Sequence, residues 1–284
     1  MIGVVAHSSK PGAAEAVRSA VRALRASKAA FAMEESTAAL AGMAGGQPLA
    51  SMAAPCSVFL VLGGDGTILR LVHRLGASLR PIFGVNIGSL GFLTCAGPDE
   101  IPEAVASLVK GNYLLSQRGL LAADLSHPGG KKLRLHALND VVISRGERSE
   151  LVKIEVAIDG ELLTEYHADG LIVATPTGST AYSLSAGGPV LMPESGCSVI
   201  TPICPHVLTN RSTVVNERSV VTVRHQDPGN PVFVTADGQG SHALVPGDVL
   251  QIRRSRRTLP LAMLPGRLFP EVLRQKLKWS GSNV

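Results

Sequence analysis

Residues Gly63-Gly-Asp-Gly-Thr67 set one carboxylate among three glycines, directly after the apolar run Val58–Leu62 and directly before Ile68–Leu75. Glycines let the backbone turn sharply and point successive N–H groups into one space, and a helix N-terminus adds partial positive charge there. Such a turn suits phosphate. A carboxylate inside it would repel phosphate unless it holds a metal ion or takes a proton from an attacking hydroxyl. Both jobs belong to phosphoryl transfer. The same five residues also suit an ordinary βα turn in which Asp65 caps the helix.

The densest polar text runs from Asp169 to Pro189. A strand, Leu171–Ala174, leads into a turn at Thr175-Pro-Thr-Gly178. A short helix capped by Ser179 is expected from Thr180 to Gly187. Hydroxyls and backbone donors gathered around one aromatic, Tyr182, suit a nucleotide: amides and hydroxyls for ribose and phosphate, a ring for the base. For any single Ser or Thr here, a polar loop with ordinary caps is an equally good account.

Two halves of different period must position these residues. Up to about residue 118, strand-like and helix-like segments alternate: strand Ile2–Ala6, helix Ala13–Lys28, strand Ser57–Leu62, helix Ile68–Leu75, strand Pro81–Val85, a glycine-rich loop Asn86–Thr94, and helix Ile101–Lys110 closed by Gly111. Alternation of this kind predicts a doubly wound α/β domain whose ligands sit beyond the carboxyl ends of the strands. The stretch Ala38–Ala54 is weakly patterned and reads as a surface connection. From about Leu120 the period becomes two. Strands are expected at Leu121–Leu125, Leu135–Ser144, Leu151–Ile158, Glu161–His167, Gly170–Ala174, Val199–Ile203, Ser219–Arg224, Pro231–Thr235 and Val249–Arg253. Asp159-Gly160 and Asp237-Gly238 are hairpin signals. This predicts a β-sandwich-like second domain, with a closing helix at Phe269–Trp279 that returns to the first. The domain ranges are 1–118 with 265–284, and 119–264.

The chain has 284 residues, 45% hydrophobic and 17% charged, which suits a globular enzyme. Its charge of +5 fits an anionic small substrate as well as nucleic acid. The aromatic–basic interleaving of a single-strand binder is missing, so no nucleic-acid partner is expected. Cys56, Cys95, Cys197 and Cys204 form no Cys-x-x-Cys pair, which points to a reducing cytoplasm. No signal peptide or membrane-length apolar run is read, so no membrane partner is expected. The text after the first strand, His7-Ser-Ser-Lys-Pro-Gly12, lacks the dinucleotide fingerprint of a dehydrogenase, and no stretch gives a P-loop. The cluster Arg253-Arg-Ser-Arg-Arg257 reads as a solvated strand end.

Gly63–Thr67, Asn86–Thr94, Asn139-Asp140, Asp169-Gly170 with Thr175–Pro189, Thr201-Pro-Ile-Cys-Pro-His206 and Glu271–Trp279 occur in an order that resembles the NAD kinase family, bacterial type. The Gly-Gly-Asp-Gly turn alone is shared with phosphofructokinases and diacylglycerol-type lipid kinases; the joint match is specific. The resemblance implies transfer of the γ-phosphoryl group of ATP, in some members of polyphosphate, to the 2′-hydroxyl of the adenosine ribose of NAD, giving NADP. It implies NAD and ATP as substrates, a divalent cation (Mg²⁺), and a homodimer or homotetramer. No metal-ligating residue is assigned. Asp65 is implied as the catalytic carboxylate; Gly63, Gly64, Gly66 and Thr67 as the phosphate-binding turn; and Arg70 as pointing toward phosphate. Asn139 and Asp140 match the pair that grips adenosine and ribose, Asp169 a contact on the nicotinamide side, and Gln239 a further NAD contact. Thr180, Ala181, Tyr182, Ser183, Leu184 and Ser185 match the segment around adenine. Asp140 stands where glutamate is usual, and His167 where many members carry arginine, which makes any phosphate contact there pH-dependent. Because no lysine follows the glycine turn, neutralisation of the donor is expected to fall to the metal.

Overall fold

A computed structural model describes residues 1–88, 91–147, 150–266 and 268–279. The chain divides into two units, Met1–Gln117 with Leu259–Val284, and Arg118–Thr258.

In chain order the first unit contains β1 (Ile2–Ala6), α1 (Ala13–Ala26), β2 (Phe31–Met33), α2 (Glu35–Leu40), α3 (Leu49–Met52), β3 (Val58–Gly63), α4 (Asp65–Leu75), β4 (Ile82–Asn86) and α5 (Ile101–Lys110). Its strands pair in parallel in the order β2-β1-β3-β4, and Leu261 and Ala262 add a further parallel partner beside Ile82 and Phe83. Every residue of β1, β3 and β4 is buried, as unalternating apolar strands covered on both faces should be. Ala13, Ala16, Val17, Ala20, Val21 and Leu24 turn one face of α1 into the core. Gly111, at φ 69°, ends α5 in the left-handed conformation that glycine adopts without strain. The order reverses between β1 and β3, so the ends of these two strands form a topological switch point.

The stretch at 38–54 is largely a surface connection, as expected, but it also anchors itself to the core at a few points. Ala38, Leu49 and Met52 are buried, α2 and α3 form there, and β2 joins the sheet at its edge. Short segments rich in alanine give no period to read, and burial against the core decides them. Helix α4 starts three residues earlier than expected, because Gly64 is extended and the Gly64 N–H donates to Thr67 Oγ1, so the turn tightens and Asp65 becomes its first helical residue. Of the loop at 86–94, Ser89 and Leu90 lie outside the described residues.

The second unit takes up β5 (Leu114–Ser126), β6 (Lys132–Ala137), β7 (Asp140–Arg145), β8 (Val152–Ile158), β9 (Glu161–Ala168), β10 (Gly170–Ala174), the one-turn α6 (Tyr182–Ser185), β11 (Cys197–Ile203), β12 (Thr213–Asn216), β13 (Val221–His225), β14 (Val232–Ala236), β15 (Gln239–Leu244) and β16 (Val249–Met263). The chain passes between the units within β5 and β16. Six antiparallel strands run in the order β12-β11-β10-β7-β14-β15. A second antiparallel set links β9, β8, β13 and β16. Alternate residues of both sets share one core, among them Val141, Ile143, Leu171 and Val173 with Ile154, Val156, Val221 and Val223. That is the sandwich arrangement. The closing helix α7 (Phe269–Leu277) belongs to the first unit and buries Val272 and Leu273.

Three strand expectations change. Leu135–Ser144 is two strands, broken at Leu138 and Asn139, whose amides bind a side chain instead of a ladder partner. Gln239–Leu244 pairs with β14 although its alternation is poor. The arginine cluster lies in the middle of β16, where Arg253 pairs with Asp124 at 2.7 Å and Arg254 with Glu217, so it is an ion-paired surface and not a strand end.

Candidate active site

In the first unit, three loops meet at the carboxyl ends of the parallel strands. The His7 amide donates to Leu62 O (2.9 Å) and the Ile87 amide to Gly63 O (2.7 Å), tying the loops after β1, β3 and β4 together. Asp65 is half-buried, and both of its oxygens are held: Oδ2 accepts the Phe92 amide at 2.8 Å and Oδ1 the Leu93 amide at 3.0 Å. Its direction is thereby fixed by backbone 27 and 28 residues away. Gly91 has no side chain because a Cβ there would occupy the Asp65 carboxylate, and a Cβ on Gly63 would strike Thr67. Gly66 is exposed, with nothing within 4 Å of the place its Cβ would take. The first amides of α4 have no acceptor within their own helix, as at any helix start.

A cation that the sequence argument missed is Lys10, in the loop after β1. Its Nζ lies 3.5 Å from the position a Cβ would take on Gly64 and 3.0 Å from that on Gly88. Arg70 is exposed one turn into α4. The His7 imidazole is pulled below its ordinary pKa, first by burial and then by the charges of Arg70 and Lys10, so it is neutral at physiological pH and the local field is positive. A lysine ammonium therefore stands beside the glycine turn, where the sequence reading expected no lysine. Lys10 was hidden because it precedes the glycine turn by more than fifty residues and reaches it only through the order of the sheet.

In the second unit Asn139, Asp140 and Gln239 gather with the turn after β10 around the break between β6 and β7, where Asp140 pairs with Ala174. Asp169 and His167 lie toward the other end of β10, where Gly170 pairs with Ser144. Asp237, in the β14–β15 hairpin at φ 50°, turns its carboxylate onto that corner. Its Oδ2 accepts the Leu138 amide at 2.8 Å, and its Oδ1 accepts those of Asn139 at 2.7 Å and Asp140 at 3.1 Å. Thr175 clamps the other side: its hydroxyl donates to Leu138 O (2.6 Å) and its amide to Asn139 O (2.8 Å). Gly178 lies flat against the Asn139 backbone, where a Cβ has no room. Gln239 follows in the same hairpin as Asp237. Asp140 is 6% exposed, and its carboxyl is pushed up to about 7, first by burial and then by the charge of Asp237.

Within 175–189, Ser179 does not cap a helix. Its hydroxyl donates to Pro176 O and accepts the Leu191 amide, and a 3₁₀ turn at Gly178–Thr180 precedes α6. The Thr180 hydroxyl donates to Thr177 O, and the buried Ser183 hydroxyl pairs with that of Thr201 at 2.9 Å. Tyr182 and Ser185 are exposed, while Ala181 and Leu184 are half-buried. Asp169 accepts from Arg145 Nε at 2.7 Å. His167 lies 2.9 Å from Glu165, a carboxylate partner that a phosphate contact would have to displace. Arg118, only 2% exposed, donates to Thr177 Oγ1 at 3.5 Å from beneath the turn.

A glycine turn that fixes a lone carboxylate at the switch point of a parallel sheet, followed by a β-sandwich unit, is the arrangement a phosphotransferase can use. The family model of the ATP-NAD kinase N-terminal domain matches residues 2–113, and that of the ATP-NAD kinase C-terminal domain matches residues 138–264. An NAD kinase of Symbiobacterium thermophilum is 41% identical over 278 residues, covering 96% of this chain and 97% of that one. The chain belongs to the ATP-NAD kinase family. Among solved structures, an NAD kinase from Archaeoglobus fulgidus in complex with ATP matches with a TM-score of 0.76 at 26% identity, covering 98% of this chain and 99% of that one. Yeast NADH kinase complexed with NADH shares the fold, with a TM-score of 0.91 at 24% identity over 100% of this chain and 89% of its own.

Proposed function

We propose that this chain transfers the γ-phosphoryl group of ATP to the 2′-hydroxyl of the adenosine ribose of NAD, giving NADP and ADP. The observation that carries this reading is Asp65, held by two amides inside a glycine turn, in a chain of the ATP-NAD kinase family. Asp65 accepts the proton as the 2′-oxygen bonds to the γ-phosphorus and the bond to the ADP oxygen breaks. Amides of Asp65 and Gly66 with the Lys10 ammonium take the donor's phosphates, and Thr67, holding the Gly64 amide, keeps the turn closed. Asn139 and Asp140 take the adenosine ribose, with Gln239 and the segment 180–185 around the adenine, and Asp169 serves the nicotinamide end. The ATP held by the Archaeoglobus fulgidus relative supports the choice of donor.

Among the described residues no cluster of three or more His, Cys, Asp or Glu side chains stands ready for a metal. Mg²⁺ leans on phosphate oxygens and keeps its waters, and when bound it would neutralise charge on the transferring group. Asp65 is the side chain here able to reach it. Four free cysteines support a reducing, cytoplasmic setting, and the family supports a homodimer or homotetramer. The deciding experiment is NADP formation by the purified chain from NAD, ATP and Mg²⁺, with polyphosphate as alternative donor. An absence of NADP with either donor overturns the reading.

A further inference from the structure

Asp237 was read from the sequence as half of a hairpin turn, yet its carboxylate accepts three backbone amides from another strand pair. Three consecutive amides, of Leu138, Asn139 and Asp140, donate to it at 2.7–3.1 Å, and the Asp237 amide returns a bond to Asp140 O at 2.9 Å. A carboxylate that accepts three amides locks six backbone dihedrals at once, and amides bound to a charged acceptor hold more strongly than those bound to a neutral one. The three residues it locks end in the two whose side chains face the nucleoside in the reading above. Aspartate tolerates the left-handed φ of 50° needed here, and Gly238, at φ 66°, completes the turn.

We propose that Asp237 is a positioning residue for the acceptor nucleotide: its carboxylate sets the backbone of Leu138–Asp140 and so aims Asn139 and Asp140 at the adenosine ribose. This rests on the proposed reaction. A second consequence comes from charge. Asp237 is the charged group among the described residues whose field acts on Asp140; the other partners of the corner, Thr175 and Gly178, carry none. Asp237 thus opposes ionisation of the carboxylate that must accept the ribose hydroxyls, and NAD capture weakens as Asp140 takes its proton near neutral pH.

Asp237→Asn separates this from a merely structural role. Asparagine keeps the left-handed turn and one acceptor oxygen but loses the charge and the second acceptor. The expected result is a KM for NAD raised about tenfold, the loss of roughly one charge-assisted bond. The KM for ATP stays unchanged, and the acid limb of kcat/KM for NAD moves to lower pH. An unmoved acid limb, an unmoved KM for NAD, or equal losses for both substrates alongside a lowered Tm would each overturn the proposal. Carboxyl NMR titration of the nucleotide-free protein, with the Asp140 resonance assigned by its loss in Asp140→Asn, tests it independently of the reaction. Asp140 must titrate lower in Asp237→Asn than in the parent. If that holds while no NADP is made, the reaction assignment fails and the coupling of the two carboxylates stands; if Asp140 titrates unchanged, the coupling fails.

Discussion

The glycine turn of the first unit and the β6–β7 corner of the second solve the same problem in opposite ways. Each fixes one aspartate at the first residue of a regular element, Asp65 at the start of α4 and Asp140 at the start of β7. At the turn, Asp65 does its own anchoring: the amides of Phe92 and Leu93 bind both of its carboxylate oxygens. At the corner, a second carboxylate, Asp237, takes the amides, and Asp140 takes none of them. The surrounding charge differs as well. Asp65 shares its unit's switch point with Lys10 and Arg70, whereas Asp140 is buried beside another acid and its carboxyl is pushed up to about 7. Side-chain chemistry is the same in both places; who supplies the scaffold decides whether the carboxylate is held rigidly in a positive field or kept adjustable near neutral pH.

Breaking the first anchor has the largest expected effect. Asp65→Asn should lower kcat by roughly 10²–10⁴-fold, the usual worth of a positioned base, while calorimetry still detects NAD binding. Turnover within a few-fold of the parent would remove Asp65 from the base role. Gly91→Ala tests orientation without touching the carboxylate's chemistry. Its methyl group would take the place of the Asp65 carboxylate, so kcat should fall about 10²-fold with little change in KM for NAD, read from steady-state kinetics on protein whose circular dichroism is intact.

Effects at the corner are smaller and pH-dependent. In the parent, kcat/KM for NAD should fall as pH drops through about 7, because Asp140 then protonates and can no longer accept both ribose hydroxyls. Asp140→Asn should lose that limb and raise KM for NAD about tenfold; a pH profile unchanged in shape would detach Asp140 from the substrate. Stability should move the other way. A buried carboxyl with a raised folded-state pKa penalises the folded protein above that pKa, and the penalty disappears as pH falls toward the unfolded value. Asp140→Asn should therefore raise the Tm of the nucleotide-free protein at pH 8 by roughly 2–4 °C and leave it nearly unchanged at pH 4.

The smallest effect sharpens the comparison from the side of the donor. Lys10→Gln should raise KM for ATP about three- to tenfold, one charge-assisted contact, with KM for NAD untouched. Equal changes for both substrates would show that Lys10 does not belong to the donor side alone.

Much of this molecule was legible in the residues. The apolar runs without alternation, such as Val58–Leu62, could only be strands covered on both faces, and Asp159-Gly160 needed a hairpin because both residues tolerate φ above zero. The glycines around Asp65 announced a sharp turn from strand into helix, and the ordered set of motifs named the family. These features are local: period, turn chemistry and backbone freedom act over a few residues and leave their mark on the text. What the text could not carry was partnership across long separations. Nothing near Leu138 says that three amides there will leave the ladder for Asp237, nearly a hundred residues later, so one strand was read where there are two. The alanine-rich stretch 38–54 has no period, and only packing of Ala38, Leu49 and Met52 against the core decided where its short helices fall. Lys10 meets Gly64 because the sheet order sets β1 beside β3, and that adjacency exists only once the core has formed. The sequence by itself determined which side chains could do chemistry and on which kind of element each would stand. Tertiary structure alone decided which distant charges and amides surround each carboxylate, because burial and fields are properties of the packed chain and not of any segment in it.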